Sequence, residues 1–209
     1  MALRLYDYEL SGNCYKVRLL LSFLNIPHVR VPIDFYPGRE HKRPEFLAIN
    51  PLGQIPVLDD DGVVLRDAQA ILCHLADNHD RNHTWFPRAS PLFGQTIMWL
   101  MFAGGEIMNA STARLHDMLG YHLDVAAARK TARDAFRILD DHLTDREFDG
   151  GAWIVGTSPT IADVACFPYV ALSRDGGIGH EEYPAIQRWL RRFRRLPRFM
   201  VMPGIPVFL

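Results

Sequence analysis

Residues Asn50–Asp77 read NPLGQIPVLDDDGVVLRDAQAILCHLAD, a turn, a hairpin and a helix start within one short span. Asn50, Pro51, Leu52 and Gly53 supply turn chemistry, and Gln54 to Leu58 behind them is a short strand that carries Pro56. Asp59 to Gly62 makes an acidic turn into a second strand, Val63 to Leu65, so the two strands pair as a hairpin. Asp67 then opens a helix whose apolar positions Ala68, Ile71, Leu72 and Leu75 fall at i, i+3, i+4 and i+7. Pro56 cannot donate to a sheet ladder. That predicts an edge position, with the backbone of Ile55 free to pair with an extended ligand. Asp67 and Ala68 stand where the first N–H groups of a helix are unpaired and its dipole is positive, a seat for a carboxylate or phosphate. An edge hairpin capped by Asp67, with no ligand at all, fits the same pattern.

Upstream, Leu3 to Tyr6 is a strand and Glu9 to Asn13 a turn. Cys14 to Asn25 follows as a helix with Val17, Leu20, Leu21 and Leu24 on one face. Pro27 stops it, and Val29, Val31 and Ile33 alternate as a second strand. Strand–helix–strand at this length is a parallel βαβ unit. With the hairpin and helix that follow, the order is βαβ then ββα, an α/β domain of thioredoxin-like type over residues 1–77. The segment from Tyr36 to Asn50 is a surface connection with room for one helical turn.

Downstream, residues 78–90 are polar and proline-marked and make the linker to an all-α domain, 91–209. Its helices are Leu92 to about Leu119, read as one long helix, and Asp124 to Thr144. Thr160-Ile161-Ala162-Asp163 has the form of a capping box, with a structural role, and opens a helix interrupted by Pro168. Ile186, Trp189, Leu190 and Phe193 are the apolar face of a last helix, ended by Pro197.

A net charge of −1 argues against nucleic acid as the principal partner. The cysteines Cys14, Cys73 and Cys166 are odd in number and widely spaced, which fits a reducing compartment rather than a disulfide framework. MALRLYDYEL is broken by charges and reads poorly as a secretory signal, and no apolar run reaches the about 20 residues that span a membrane. A cytoplasmic protein is expected.

Ser11-Gly12-Asn13-Cys14 lies at the strand-to-helix turn, on the same end of the sheet as Pro56 and Asp67. A hydroxyl or amide there can donate to a bound thiolate, and simple helix capping explains the same residues. Cys14 itself is a competing nucleophile, because a thiol at a helix N-terminus is a candidate for redox chemistry. His79 and His83 stand at i, i+4 with no Cys or Glu at zinc-site spacing, so no metal is expected. Arginines 188, 191, 192, 194, 195 and 198 read as a solvated basic face on the last helix.

The run Asn50 to Pro56 followed by Asp67 ahead of an apolar helix resembles the glutathione-binding half of the cytosolic glutathione transferases, and the likeness extends over essentially the whole chain. The resemblance implies a cis Ile55–Pro56 bond, backbone pairing of Ile55 with the cysteinyl part of glutathione, and an acidic–serine pair at the γ-glutamyl end. Here that pair is Asp67 and Ala68, so the usual hydroxyl is missing. Ser11 matches the catalytic serine of theta- and zeta-like members, and Asn13 is similar to the extra amide of nu-like ones. His41 and Gln54 match residues that hold the glycyl end. What is implied is a homodimeric detoxification enzyme with glutathione as co-substrate, acting on a small, apolar electrophile. The electrophile pocket would be lined by Trp99, Phe102, Met108 and Tyr169. Two rivals stay open: a thiol-redox or glutathione-lyase enzyme working through Cys14, and a non-catalytic interaction module of the same fold.

Overall fold

The computed structural model describes residues 3–205; residues 1–2 and 206–209, the outer ends of the two expected domain spans, lie outside them. Four strands form one mixed sheet in the order β2–β1–β3–β4. Strand β1 (Arg4–Asp7) runs parallel to β2 (Val29–Pro32) and antiparallel to β3 (Val57–Asp60), which pairs antiparallel with β4 (Val63–Leu65). Alternation along the strands sends Leu5 and Leu58 to a core shared with α1 (Gly12–Phe23) and α3 (Ala68–His79). Tyr6 and Val57 point to the other face, against Phe46 of the short helix α2 (Pro44–Leu47). This is the expected βαβ–ββα order.

The expectation for Pro56 needs correction. Strand β3 lies in the interior of the sheet, between β1 and β4. Proline is tolerated because it precedes Val57, the first residue in register with β1, and so gives up no ladder hydrogen bond.

Beyond α3 the described chain is helical. The single long helix expected from Leu92 is two, α4 (Leu92–Gly104) and α5 (Met108–Leu119). The break falls at Gly104-Gly105. A Cβ on Gly104 would stand 2.6 Å from Nε2 of Gln69, a buried side chain of α3, so close packing across the two halves of the chain sets this position. Helix α6 (Val125–Phe148) is capped by Asp124, whose carboxylate accepts the Ala127 N–H. Its Ala132, Ala135, Phe136, Leu139 and Leu143 are buried as their spacing predicts. Two last helices, α7 (Ile161–Ala171) and α8 (Pro184–Phe193), complete the bundle. The α8 arginines are only partly a solvated face. Arg188 and Arg192 both pair with Glu147 of α6, and Arg194 is buried.

The capping box at Thr160 forms, and Asp163 does more than reach back to its cap. One carboxylate oxygen accepts the Thr160 N–H at 2.9 Å. The other accepts the Ile154 N–H at 3.1 Å and the Trp189 Nε1–H at 2.9 Å. The loop before α7 and the core face of α8 thus meet on one buried carboxylate. Burial pushes its pKa up to about 6, against the hydrogen bonds that favour the ionised form. Asp163→Ala would leave those donors unpaired in the core and should lower the unfolding free energy by about 3 kcal/mol or more, measured by urea denaturation. Asp163→Asn, which retains one acceptor oxygen, should lose less.

Candidate functional site

The strand register fixes where the candidate residues meet. Tyr6 near the end of β1 is level with Val57 at the start of β3, and Leu65 at the end of β4 is level with Leu58. The Ser11 turn after β1, the Ile55–Pro56 pair before β3 and the start of α3 after β4 therefore share one end of the sheet.

Ser11 caps α1 from an extended backbone, with its hydroxyl oxygen accepting the Cys14 N–H at 3.2 Å. As an acceptor in that bond, Ser11 keeps its own proton to donate, with the Cys14 thiol within its reach. The three residues before it are fixed by carbonyl contacts. Arg18, reaching back from α1, donates to Tyr8 O at 3.2 Å and Glu9 O at 2.8 Å. Arg114 of α5 donates to Leu10 O at 3.1 Å while its Nε pairs with Asp175 at 2.9 Å. Asn13 is half-buried, and its Oδ1 has no partner among the described residues. Cys14 is 0% exposed, packed with Ile55 and Val57. Burial, and then the Asp7 carboxylate, push its thiol up to about 12, so it is neither ionised nor reachable as it stands.

The Ile55–Pro56 bond is cis, and both residues are buried while Gln54 is exposed. Asn50 builds the loop before them. Its Nδ2 donates to Gln54 O at 2.7 Å and its Oδ1 accepts the Leu52 N–H at 3.1 Å. Asp67 caps α3 through the Ala70 N–H at 2.9 Å and is otherwise exposed; Ala68 beside it is 3% exposed. His41 is not a loose surface histidine. It is 3% exposed and stacked on Phe35 at 4.1 Å, with a buried Nδ1 that lacks a partner among the described residues. Burial first, then Lys42 and Arg39, hold its pKa below the usual histidine value. Tyr8 lies against the same Phe35 ring at 5.5 Å, so a row of rings links the Ser11 turn to His41.

The four residues expected to line an electrophile pocket divide. Phe102 and Met108 are partly buried against the main core. Trp99 is 4% exposed, its ring turned to His142 and Phe102, and it belongs to the core of the helical bundle. Tyr169 is 5% exposed and supports α1 from below, with its ring where a Cβ on Gly12 would be, 2.4 Å from Cε1. Arg114 and Tyr8 went unnoticed in the sequence, and Asn50 was read there as a turn residue without its side-chain contacts. Tyr8, three residues before Ser11, and Asn50, at the head of the motif, had a local signal; Arg114 had none, since its partners are Leu10 and Asp175. Two clefts, of about 310 and 560 Å³, lie around Asn25–His28 beyond the C-terminal end of α1 and contain none of these residues. Among the described residues no group of three or more His, Cys, Asp or Glu is placed to hold a metal ion, and no helix is long and apolar enough to cross a membrane.

Residues 5–83 match the family model for the glutathione S-transferase N-terminal domain, and residues 123–192 match that for the C-terminal domain. A maleylacetoacetate isomerase from Rhizobium meliloti is 33% identical over 184 residues, covering 81% of this chain and 81% of that protein. A glutathione S-transferase structure from Pseudomonas fluorescens superposes with a TM-score of 0.87 at 28% identity, over 97% of this chain and 100% of that one. Ure2p in complex with glutathione gives a TM-score of 0.83 at 26% identity, covering 94% and 96%. The chain belongs to the glutathione S-transferase superfamily.

The contact between Gly12 and Tyr169 makes the start of α1 depend on the helical half of the molecule. Gly12→Ala should displace the tyrosine or the first turn and cost about 1–3 kcal/mol in thermal or urea unfolding. In a Tyr169→Ala background, where the ring is gone, the same substitution should cost much less.

Proposed function

We propose that the chain is a glutathione transferase-like enzyme that ionises the glutathione thiol at the Ser11 turn for attack on a small, apolar electrophile. The observation that carries this is the state of Ser11: its oxygen is occupied by the Cys14 N–H, so its proton can point outward from the positive end of α1. A thiolate placed there receives a hydroxyl hydrogen bond and the field of a helix N-terminus. Each unit by which its pKa falls requires about 1.36 kcal/mol of preference for the charged form. Serine acts only as a donor, so no general base is needed. Asn13 is the second donor of the turn.

The rest of glutathione follows from the same end of the sheet. Ile55 pairs through its backbone with the cysteinyl unit, with Pro56 holding that backbone in place. The γ-glutamyl end sits on Asp67 and the N-terminus of α3, and His41 and Gln54 meet the glycyl end. The unpartnered Nδ1 of His41 supports its part in this. In this reading residues 1–77 bind glutathione, 78–90 link, and the helices of 91–209 present the electrophile, with Phe102 and Met108 nearest in kind to pocket walls. Homodimerisation is part of the proposal, supported by exposed Val63 and Val64 on β4 and Met98 and Met101 on α4. So is a reducing, cytoplasmic setting, supported by three free cysteines.

The buried, protonated state of Cys14 weighs against the redox or lyase alternative. The missing hydroxyl at Ala68 is what favours the non-catalytic alternative, and calorimetry with glutathione separates that from both enzymes. The rate of conjugation against pH tests the role of Ser11. Ser11→Ala should lose about 10–100-fold near neutral pH and recover at high pH, where the thiol ionises unaided. Cys14→Ala should stay within a few-fold of wild type. Activity lost with Cys14 and retained without Ser11 would transfer the chemistry to the thiol.

A further inference from the structure

Lys16 lies on α1 and is 0% exposed, and its Nζ has no hydrogen-bond partner among the described residues. A buried ammonium without an anion is strongly unfavourable, so its retention calls for a physical reason. Lys16 follows Gly12 by one helical turn, i to i+4, and helix side chains at that spacing share one face and lean towards the N-terminus. The contacts bear this direction out. The Lys16 Nζ is 4.7 Å from the centroid of the Tyr169 ring, and the same ring fills the place that a Cβ on Gly12 would take. A single aromatic side chain thus meets both the Lys16 ammonium and the first residue of α1, and Gly12 adjoins Ser11. Helix α1 packs against α3 and α7. The titratable groups that face Lys16 from these helices are Asp67 of α3 and Cys166 and Tyr169 of α7. Burial keeps Cys166 and Tyr169 protonated, as it does Cys14 on α1 itself. Arg18 of α1 is neutralised by Asp7, and the Asp67 carboxylate is turned to the Ala70 N–H without bonding to Lys16. The positive charge behind the first turn of α1 is left without a bonded anion.

We propose that the Lys16 ammonium, seated on the Tyr169 ring beside the first turn of α1, is a charge that stabilises the glutathione thiolate at Ser11. The inference rests on the glutathione reading above and concerns its reacting atom alone. Lys16 does not touch the ligand. It is a positioning residue that acts through the turn, across protein of low polarity, where unit charges interact more strongly than in water. The thiol gives its proton to water, and the thiolate that remains is the counter-charge Lys16 lacks. Burial lowers the Lys16 pKa to about 8, so the ammonium is charged at neutral pH, and a thiolate beside it favours that state further.

The ultraviolet absorbance of the thiolate, followed against pH with glutathione bound, reads this directly on wild type, Lys16→Met and Lys16→Arg. Calorimetry with S-methylglutathione, which has no thiol to ionise, is the companion measurement. In Lys16→Met the pKa of the bound thiol should rise by about one, leaving about tenfold less thiolate and about tenfold lower kcat/KM near neutral pH, with recovery at high pH. Lys16→Arg, which keeps the charge, should titrate like wild type. S-methylglutathione should bind all three proteins alike, since the charge acts on the thiolate alone. A Lys16→Met protein whose bound thiol titrates like that of wild type overturns the proposal. So does one that loses S-methylglutathione affinity in proportion to its loss of thiolate, because that marks a merely structural lysine. If Lys16→Met does not fold, Lys16→Gln, neutral and able to hydrogen-bond, is judged by the same two measurements. Absence of glutathione binding to every protein, wild type included, would bring down the glutathione reading itself, an outcome distinct from binding with an unmoved thiol.

Discussion

The end of the sheet that carries the candidate site hangs on one buried carboxylate, Asp7, at the end of β1. Arg18 of α1 pairs with it inside the protein, both side chains almost wholly buried, and Arg30 of β2 closes on the other oxygen at 2.6 Å. A buried ion pair of this kind adds little net stability, yet removal of one partner leaves a bare internal charge at a cost of about 3–5 kcal/mol. Its value here is geometric. The guanidinium that neutralises Asp7 also holds the carbonyls of Tyr8 and Glu9, so strand, helix and the turn between them are fixed by one planar group. The pairing has an electrostatic side as well. With two arginines on it, Asp7 sets less negative field against an anion placed at the mouth of α1.

The second support of the turn comes from the other half of the chain. Helix α7 brings Tyr169 against Gly12 and Lys16, and α7 is itself located by the buried Asp163, which ties its cap to Ile154 and Trp189. The capping box is thus remote from the site in space and joined to it in mechanics: loss of the α7 start would free the ring on which the α1 start rests. Arg114 completes the arrangement from α5 through Leu10.

What the sequence made legible was local and periodic. Apolar spacing at i, i+3, i+4 and i+7 found α3, α6 and α8 because each buries one stripe, and it found α1 although that helix is buried nearly all round. Ser11, Asp67, Asp124 and Thr160 announced helix starts because small polar side chains satisfy the first free N–H groups. The motif from Asn50 to Pro56 was readable because Asn50 shapes that loop through contacts a few residues away. The failures have a common cause in contacts distant along the chain. Gly104, at the end of α4, packs closely on Gln69 of α3, and the interior place of β3 comes from its pairing with β1. Trp99 and Tyr169 look like pocket aromatics in a sequence, but the bundle turns both inward. Lys16 is buried where α7 packs on α1, another contact distant along the chain.

The hydrogen bond from Arg114 to the carbonyl of Leu10 bears on how such a protein diversifies. The wall that would choose among electrophiles and the turn that would set nucleophile strength share a strut, 3.1 Å long, between α5 and the residue before Ser11. Changes in α5 selected for a new partner molecule would be transmitted to the turn, and changes in the turn would be felt in the wall. In the proposed enzyme, selectivity and reactivity would therefore not be separate traits. A lineage that alters one inherits a change in the other, and neutral drift in α5 is limited to substitutions that leave the guanidinium where it is.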